Sequence, residues 1–278
     1  NAAGAVAWAT AMGFLGFLFG QSWPLLEHWV GRAGLVVVGL VAAAILFAVL
    51  RRQRSRIAAW ITEWLPRSVT LYEVWLLAVS LVAIGLLGKI TEDVVTREAT
   101  PFDDMVSGWI TSLDFSGVHA LARVANALGS GPAIIGATIV ALVWRWYRGD
   151  RDGVAILTGL ALVTQILDAA LKTAVHRIRP EPLHAYTKLY VASFPSGHAI
   201  NAVATYGFIA ILIARERPRL RRFLFIIVTL ISILIGLARV YLQLHWPTDV
   251  LGGYCLGLLL LSIAVFWLER LEPEPETA

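Results

Sequence analysis

Apolar residues along this chain fall in long blocks, and polar residues gather in the short stretches between them. Eight blocks of about 17–20 residues stand out, at 2–20, 33–50, 71–88, 131–147, 154–172, 198–214, 223–241 and 250–268. As helices rising about 1.5 Å per residue, each is long enough to cross a hydrocarbon core of about 30 Å. Backbone N–H and C=O groups in lipid must be satisfied within the segment, so the blocks predict membrane helices rather than strands of an open sheet. The fold class expected is all-α, a polytopic membrane helix bundle.

The polar stretches orient the bundle. Arg51, Arg52, Arg54 and Arg56 follow the second block, Arg145, Arg148 and Arg151 surround the link between the fourth and fifth, and Arg215, Arg217, Arg219, Arg221 and Arg222 fill the link between the sixth and seventh. With eight spans all three sets fall on one side, which the positive-inside rule makes cytoplasmic. Segment 51–70 reads as a basic linker carrying a surface helix around 57–65, broken by Pro66. On the opposite side lies a long link, 89–130, in which Phe102, Met105, Val106, Trp109, Ile110 and Leu113 recur at helical spacing. They predict an amphipathic helix at the outer membrane face, acting as a lid or simply packing. The tail from Glu269 to Ala278 is acidic and proline-containing, and is expected to be disordered.

Composition agrees with this picture. The chain of 278 residues is 58% hydrophobic and 15% charged, with mean hydropathy +0.72, against roughly 25% charged residues in a soluble domain. The net charge of +4 is modest. Its arginines sit where topology puts them, so no nucleic-acid partner is expected and the lipid bilayer is. The lone Cys255 lies in an apolar block and reads as packing. Trp23, Trp29, Trp64, Trp144, Trp146 and Trp267 near block ends read as interfacial anchors. Gly253 and Gly257 suit close helix contact. Residues 2–20 carry no basic leader and are not expected to be a signal peptide.

Candidate chemistry is confined to the outer side, in three clusters. The third, Arg239-x5-His245-x3-Asp249, places a carboxylate four residues after an imidazole. With Pro247 in the first turn of a helix, that spacing sets Asp249 beside His245, where it fixes the tautomer and raises the basicity of the far nitrogen. A histidine so held is a candidate nucleophile. The second cluster, Pro195-Ser196-Gly197-His198, predicts Ser196 as an N-cap and a helix N-terminus that binds an anion. Gly197 there lets the backbone approach a ligand, and His198 is a candidate general acid. The first, Lys172-x6-Arg179-Pro180, sets two cations on one face if the fifth helix runs on to Pro180. His176 and Arg177 add positive character, and Asp168 is expected to pair with Lys172. Three cations, two imidazoles and a carboxylate suit binding a phosphate and cleaving its ester.

These three motifs, in this order against the spans, resemble the signature of the type 2 phosphatidic acid phosphatase family, over about residues 71–268. The resemblance implies a six-helix phosphatase core preceded by two further transmembrane helices. It implies His245 as the nucleophile that becomes a phosphohistidine, Asp249 as its orienting group, and His198 as the acid for the leaving oxygen. Lys172, Arg179, Arg239, Ser196 and Gly197 would hold the phosphate. No cofactor and no metal is implied, and the substrate would be a membrane lipid phosphate. Ala238 departs from the family pattern, which often has serine there. Residues about 1–50, with Gly4, Trp8, Gly16 and Gly20, resemble the C-terminal end of the DedA family, which implies a DedA-like half or partner. Together the two resemblances imply a multi-pass protein of the bacterial inner membrane with its site on the periplasmic face. Undecaprenyl pyrophosphate is the first substrate expected, then phosphatidic acid, phosphatidylglycerol phosphate or a lipid A phosphate. A lipid-to-lipid phosphotransferase and a lipid transporter are the alternatives.

Overall fold

The computed structural model describes residues 70–113, 117–180 and 192–271. The first two blocks, the basic linker, the DedA-like stretch and residues 272–278 lie outside the described residues. Eight α-helices follow in order: α1 (Leu71–Val95), α2 (Thr100–Thr111), α3 (Val118–Leu128), α4 (Gly131–Tyr147), α5 (Arg151–Val175), α6 (Gly197–Glu216), α7 (Arg221–Tyr241, after a 3-10 turn at Pro218–Leu220) and α8 (Pro247–Leu271). Among the described residues there is no strand, only an isolated antiparallel bridge between Ile178 and Ala192.

Helices α1, α5, α6, α7 and α8 are each long and apolar enough to span a membrane. The predicted block at 131–147 forms α4, which joins α3 at a bend of 48°; the bent pair is long and apolar enough to be either a broken sixth span or a re-entrant loop. Large apolar side chains face outward along these helices, among them Leu81, Val140 and Ile166, as expected where the surrounding solvent is lipid.

Helix α6 is the centre of the bundle, packed chiefly against α7 and α8. Small residues bring the backbones together. A Cβ on Gly253 of α8 would sit 2.7 Å from the Ser196 carbonyl oxygen, and one on Gly257 would sit 2.8 Å from that of Ile200. Without a hydrophobic drive between helices in lipid, such close approach supplies the packing energy. Around it Leu157, Leu160, Ile200, Phe208, Leu212, Leu256 and Leu260 form the buried core. Cys255 is buried and free.

Several predicted boundaries change. Helix α1 runs seven residues past position 88 to Val95. In the link after it, the predicted helix forms as α2, but its buried face carries Asp103 and Ile110, while Phe102 and Trp109 stay exposed. A carboxylate on the buried face is tolerated because donors meet it there, as described below. Helix α8 continues through the first residues of the expected tail, where Glu269 pairs with Arg215 at 2.6 Å and Arg270 with Glu73 at 2.6 Å. At the same end Arg145 binds Asp150 and Glu216, joining the α4–α5 link to α6.

Candidate active site

The C-terminal ends of α5 and α7 and the N-terminal ends of α6 and α8 meet at the end of the bundle away from the Arg145 and Arg215 clusters, and all three motifs lie there. Asp249, in the first turn of α8, accepts a hydrogen bond from the Trp246 backbone N–H at 2.9 Å through Oδ2. This is the reach-back of a capping box. The same oxygen stands 3.2 Å from His245 Nδ1. The expected pairing is present, but His245 precedes the helix and the cap creates the contact, rather than a shared helical face. The His245 backbone N–H donates to the Arg239 carbonyl oxygen at 3.2 Å, which ties the nucleophile candidate to the end of α7.

Both members of the pair are buried, His245 at 2% and Asp249 at 0% exposure. A carboxylate at Nδ1 assigns the proton to that nitrogen and leaves the Nε2 lone pair free. Burial pushes the His245 imidazole down to about 4, the Asp249 hydrogen bond pulls the other way, and the Arg239 and Arg179 charges add to the push. The ring is therefore neutral at pH 7, as a nucleophile requires.

In the second motif Ser196 occupies the N-cap position of α6, yet its side chain makes no capping bond. Its hydroxyl is buried without a partner among the described residues, and its N–H donates to the Asp249 carbonyl oxygen at 3.0 Å. The helix begins at Gly197, whose carbonyl accepts from Asn201 Nδ2 at 2.9 Å. A Cβ on Gly197 would lie 3.0 Å from Asp168 Oδ2, so a side chain there would press on a neighbouring carboxylate. His198 Nε2 is 3.5 Å from Arg239 Nη1, and its ring lies within electrostatic reach of Arg239, His245, Lys172 and Arg179.

The first motif corrects the expectation of one continuous helix. Helix α5 stops at Val175, because His176 takes a left-handed conformation (φ 50°) at the C-cap. Lys172 stays on the helix, bound to Asp168 at 2.6 Å. Arg179 arrives instead on an extended segment. The Ser193 N–H donates to the Arg177 carbonyl oxygen at 2.8 Å, and Ile178 bridges Ala192, so the segment before Pro180 is laid alongside the one that leads into Ser196. Burial lowers the Arg179 pKa, opposed by Asp249 and Asp168. Arg179 Nε and Arg239 Nε, like Ser196 Oγ, are buried donors with no acceptor among the described residues. A tetrahedral oxyanion supplies the acceptors that such a set of donors needs.

Four contributors escaped the sequence reading. Asn126 of α3 accepts from Arg239 Nη1 at 2.6 Å. Gly129 lies against His198, whose Cδ2 would be 2.8 Å from a Cβ there. Asp103 and Thr248 bind each other and Arg177. A lone carboxylate on the apolar side of α2 was the one sequence signal, and it names no partner. Ala238 packs with Ala122 and Ala125 of α3, so a hydroxyl at 238 would face α3.

Residues 152–272 match the PAP2 superfamily. This segment is a PAP2 superfamily domain. The chain is similar to a phosphatidylglycerophosphatase B of Bacillus subtilis (strain 168), 36% identical over 132 residues, which cover 46% of this chain and 63% of that relative. It is also similar to an undecaprenyl-diphosphatase of Sulfolobus acidocaldarius, 24% identical over 132 residues, covering 46% and 60%. The matched chain thus spans less than two thirds of either relative. Among solved structures, the first transmembrane PAP2 type phosphatidylglycerolphosphate phosphatase from Bacillus subtilis superposes with a TM-score of 0.63 at 27% identity, over 69% of this chain and 97% of that one. The PAP2 domain here is therefore a multi-pass membrane protein, as the spans predicted.

Proposed function

We propose that this PAP2 domain hydrolyses a lipid phosphate at the outer face of the bacterial inner membrane through a phosphohistidine on His245. The observation that carries the reading is a buried imidazole held by a carboxylate, facing the same end of the bundle as buried cations and a second imidazole. His245 Nε2 attacks phosphorus. Lys172, Arg179 and Arg239, with Ser196 Oγ and the N-terminus of α6 at Gly197, neutralise the equatorial oxygens. His198 gives a proton to the leaving oxygen as the P–O bond breaks, then takes one from the water that releases phosphate from His245. Placing the site outside rests on the arginine clusters at the other end. The domain limits proposed are 71–268 for the phosphatase, with 1–50 as a DedA-like end and 51–70 as a linker.

For the substrate, the 36% identity to the Bacillus phosphatidylglycerophosphatase B favours phosphatidylglycerol phosphate over undecaprenyl pyrophosphate, the first expectation from sequence. The test is phosphate release in detergent with EDTA, offering both lipids and phosphatidic acid side by side. Fastest release from phosphatidylglycerol phosphate is expected. No release from any of them by folded protein would sink the reading. Alkaline-quenched phosphoprotein gives the pH arm. His245 is neutral above about 4, so phosphoryl transfer to it persists at pH 5 and is lost as pH falls through about 4, well below the ordinary histidine value near 6.5.

Gly129→Ala should lower phosphate release at least about tenfold, because the new methyl displaces the general acid by a fraction of an ångström to an ångström. Phosphate release and thermal unfolding, measured together, check it. An unchanged rate would mean that His198 tolerates the shift.

A further inference from the structure

Asp249 has two carboxylate oxygens, and the phosphatase reading uses one. Oδ2 serves His245 and the Trp246 N–H, while Oδ1 accepts from Arg177 Nη1 at 2.7 Å. The other arm of the same guanidinium, Nη2, is bound to Asp103 Oδ2. Asp103 is fixed in turn by Thr248, whose N–H donates to Oδ1 at 2.9 Å and whose hydroxyl donates to Oδ2 at 2.7 Å. Arg177 Nη1 also donates to Thr248 Oγ1 at 2.7 Å. The Arg177 ring contact is Trp246, 5.5 Å to the centroid. The side chains of Asp103 and Asp249 are 1% and 0% exposed, and that of Arg177 is 13%. On its outer side Arg177 borders a cavity of about 530 Å³ shared with Arg97 and His176.

We infer that Asp103 and Arg177 are positioning residues for the nucleophile, forming with Asp249 and His245 a largely buried chain of side chains in the order Asp103, Arg177, Asp249, His245. The inference rests on the phosphatase reading for its chemistry and on the geometry for its existence. One guanidinium divides its charge between two carboxylates. Asp103 draws part of that charge away from Asp249, leaving Asp249 more negative toward His245 than a private Arg177–Asp249 pair would. The fork geometry holds the Asp249 plane so that Oδ2 meets the ring. Helix α2, from the link between spans, is thereby a part of the site. Both terminal nitrogens of Arg177 are bonded to side chains, whereas the Nε donors of Arg179 and Arg239 have no acceptor among the described residues.

The groups facing His245 are Asp249 from α8, Arg239 from α7, His198 from α6 and Arg179 from the segment after α5. None is altered in Asp103→Asn, which keeps an oxygen to accept from Thr248 and so lets α2 dock. The first experiment needs no substrate: a titration of ¹⁵N-labelled histidines by NMR in detergent, with His245 assigned from a His245→Asn sample. With the Asp103 charge removed, Arg177 acts on Asp249 alone, the imidazolium loses stabilisation, and the His245 midpoint falls by about half a unit to one unit. An unmoved midpoint overturns the inference, whatever lipid the protein hydrolyses or fails to hydrolyse. Turnover is the second arm. Asp103→Asn and Arg177→Gln should each lower kcat about 10- to 100-fold with KM within about threefold, and the double variant should be no worse than Arg177→Gln alone. Multiplying effects, or a raised KM with kcat intact, would instead make Arg177 a phosphate ligand and overturn the proposal. Should Asp103→Asn not fold, Arg177→Lys replaces it, with partial rescue of kcat relative to Arg177→Gln expected and no rescue counting against the inference. A wild type inactive on every lipid refutes the phosphatase reading alone, since the NMR arm still decides this one.

Discussion

His245→Ala abolishes phosphate release, by a factor on the order of 10⁴ or more, and no alkali-stable phosphoprotein forms. The size of the effect follows from the role. A general acid or a single phosphate ligand leaves the reaction path intact when removed, whereas loss of the nucleophile removes the covalent intermediate and leaves only water to attack. The fold should survive. Asp249 keeps the Trp246 N–H and Arg177 as partners at 2.9 and 2.7 Å, so no buried charge is stranded. His198, Arg239 and the other cations are untouched, and the variant should still bind the lipid. The check is a paired measurement of released phosphate and of lipid binding in the same detergent. A variant that binds lipid and retains more than about 1% of turnover would transfer the nucleophile's role to another group, with His198 the next to test.

Arg239→Gln lowers kcat/KM by about 10²–10³-fold, and Arg239→Lys does little better. Charge builds on the phosphoryl oxygens in the transition state, and a preorganised cation in a water-poor site is worth several kcal/mol there, typically about 3–4. Lysine brings the charge without the planar fork that Arg239 presents. The fork is aimed by Asn126, which accepts from Nη1 at 2.6 Å. Asn126→Ala should therefore cost a smaller factor, roughly tenfold, and nothing further in the Arg239→Gln background. Phosphate affinity followed by ³¹P line broadening separates the two. It falls sharply without the cation and modestly without its aim. Equal losses in both single variants would mean that Asn126 touches the substrate itself.

These expectations draw on two kinds of information, and individual residues show the division. His245 and Asp249 were readable because their partnership is local: four residues apart, with Pro247 marking the helix start between them. The cap geometry that joins them differs from the shared helical face expected, but both arise within one turn of chain. The pairing of Asp168 with Lys172 was local in the same way, and it is present at 2.6 Å. The condition for Lys172 and Arg179 to share a helical face is not met, because helix α5 ends three residues after Lys172, at a histidine in a left-handed conformation. Histidine carries no strong terminating preference. The segment before Ser196, pairing with Arg177 and Ile178, settles where the chain goes next.

The sequence by itself determined that the described residues form a helical membrane bundle and that the three polar motifs gather at one end of it. Lipid leaves the backbone few solutions, so an apolar block of the right length is already a helix. Only the tertiary structure decided which side chains complete the site. Asn126 aims Arg239, Gly129 makes room for His198, and Asp103 reaches Arg177 from 74 residues away. Each of these acts through a contact between helices distant in sequence. The energy of such a contact depends on which buried donor meets which acceptor, and hydropathy along the chain contains no record of that.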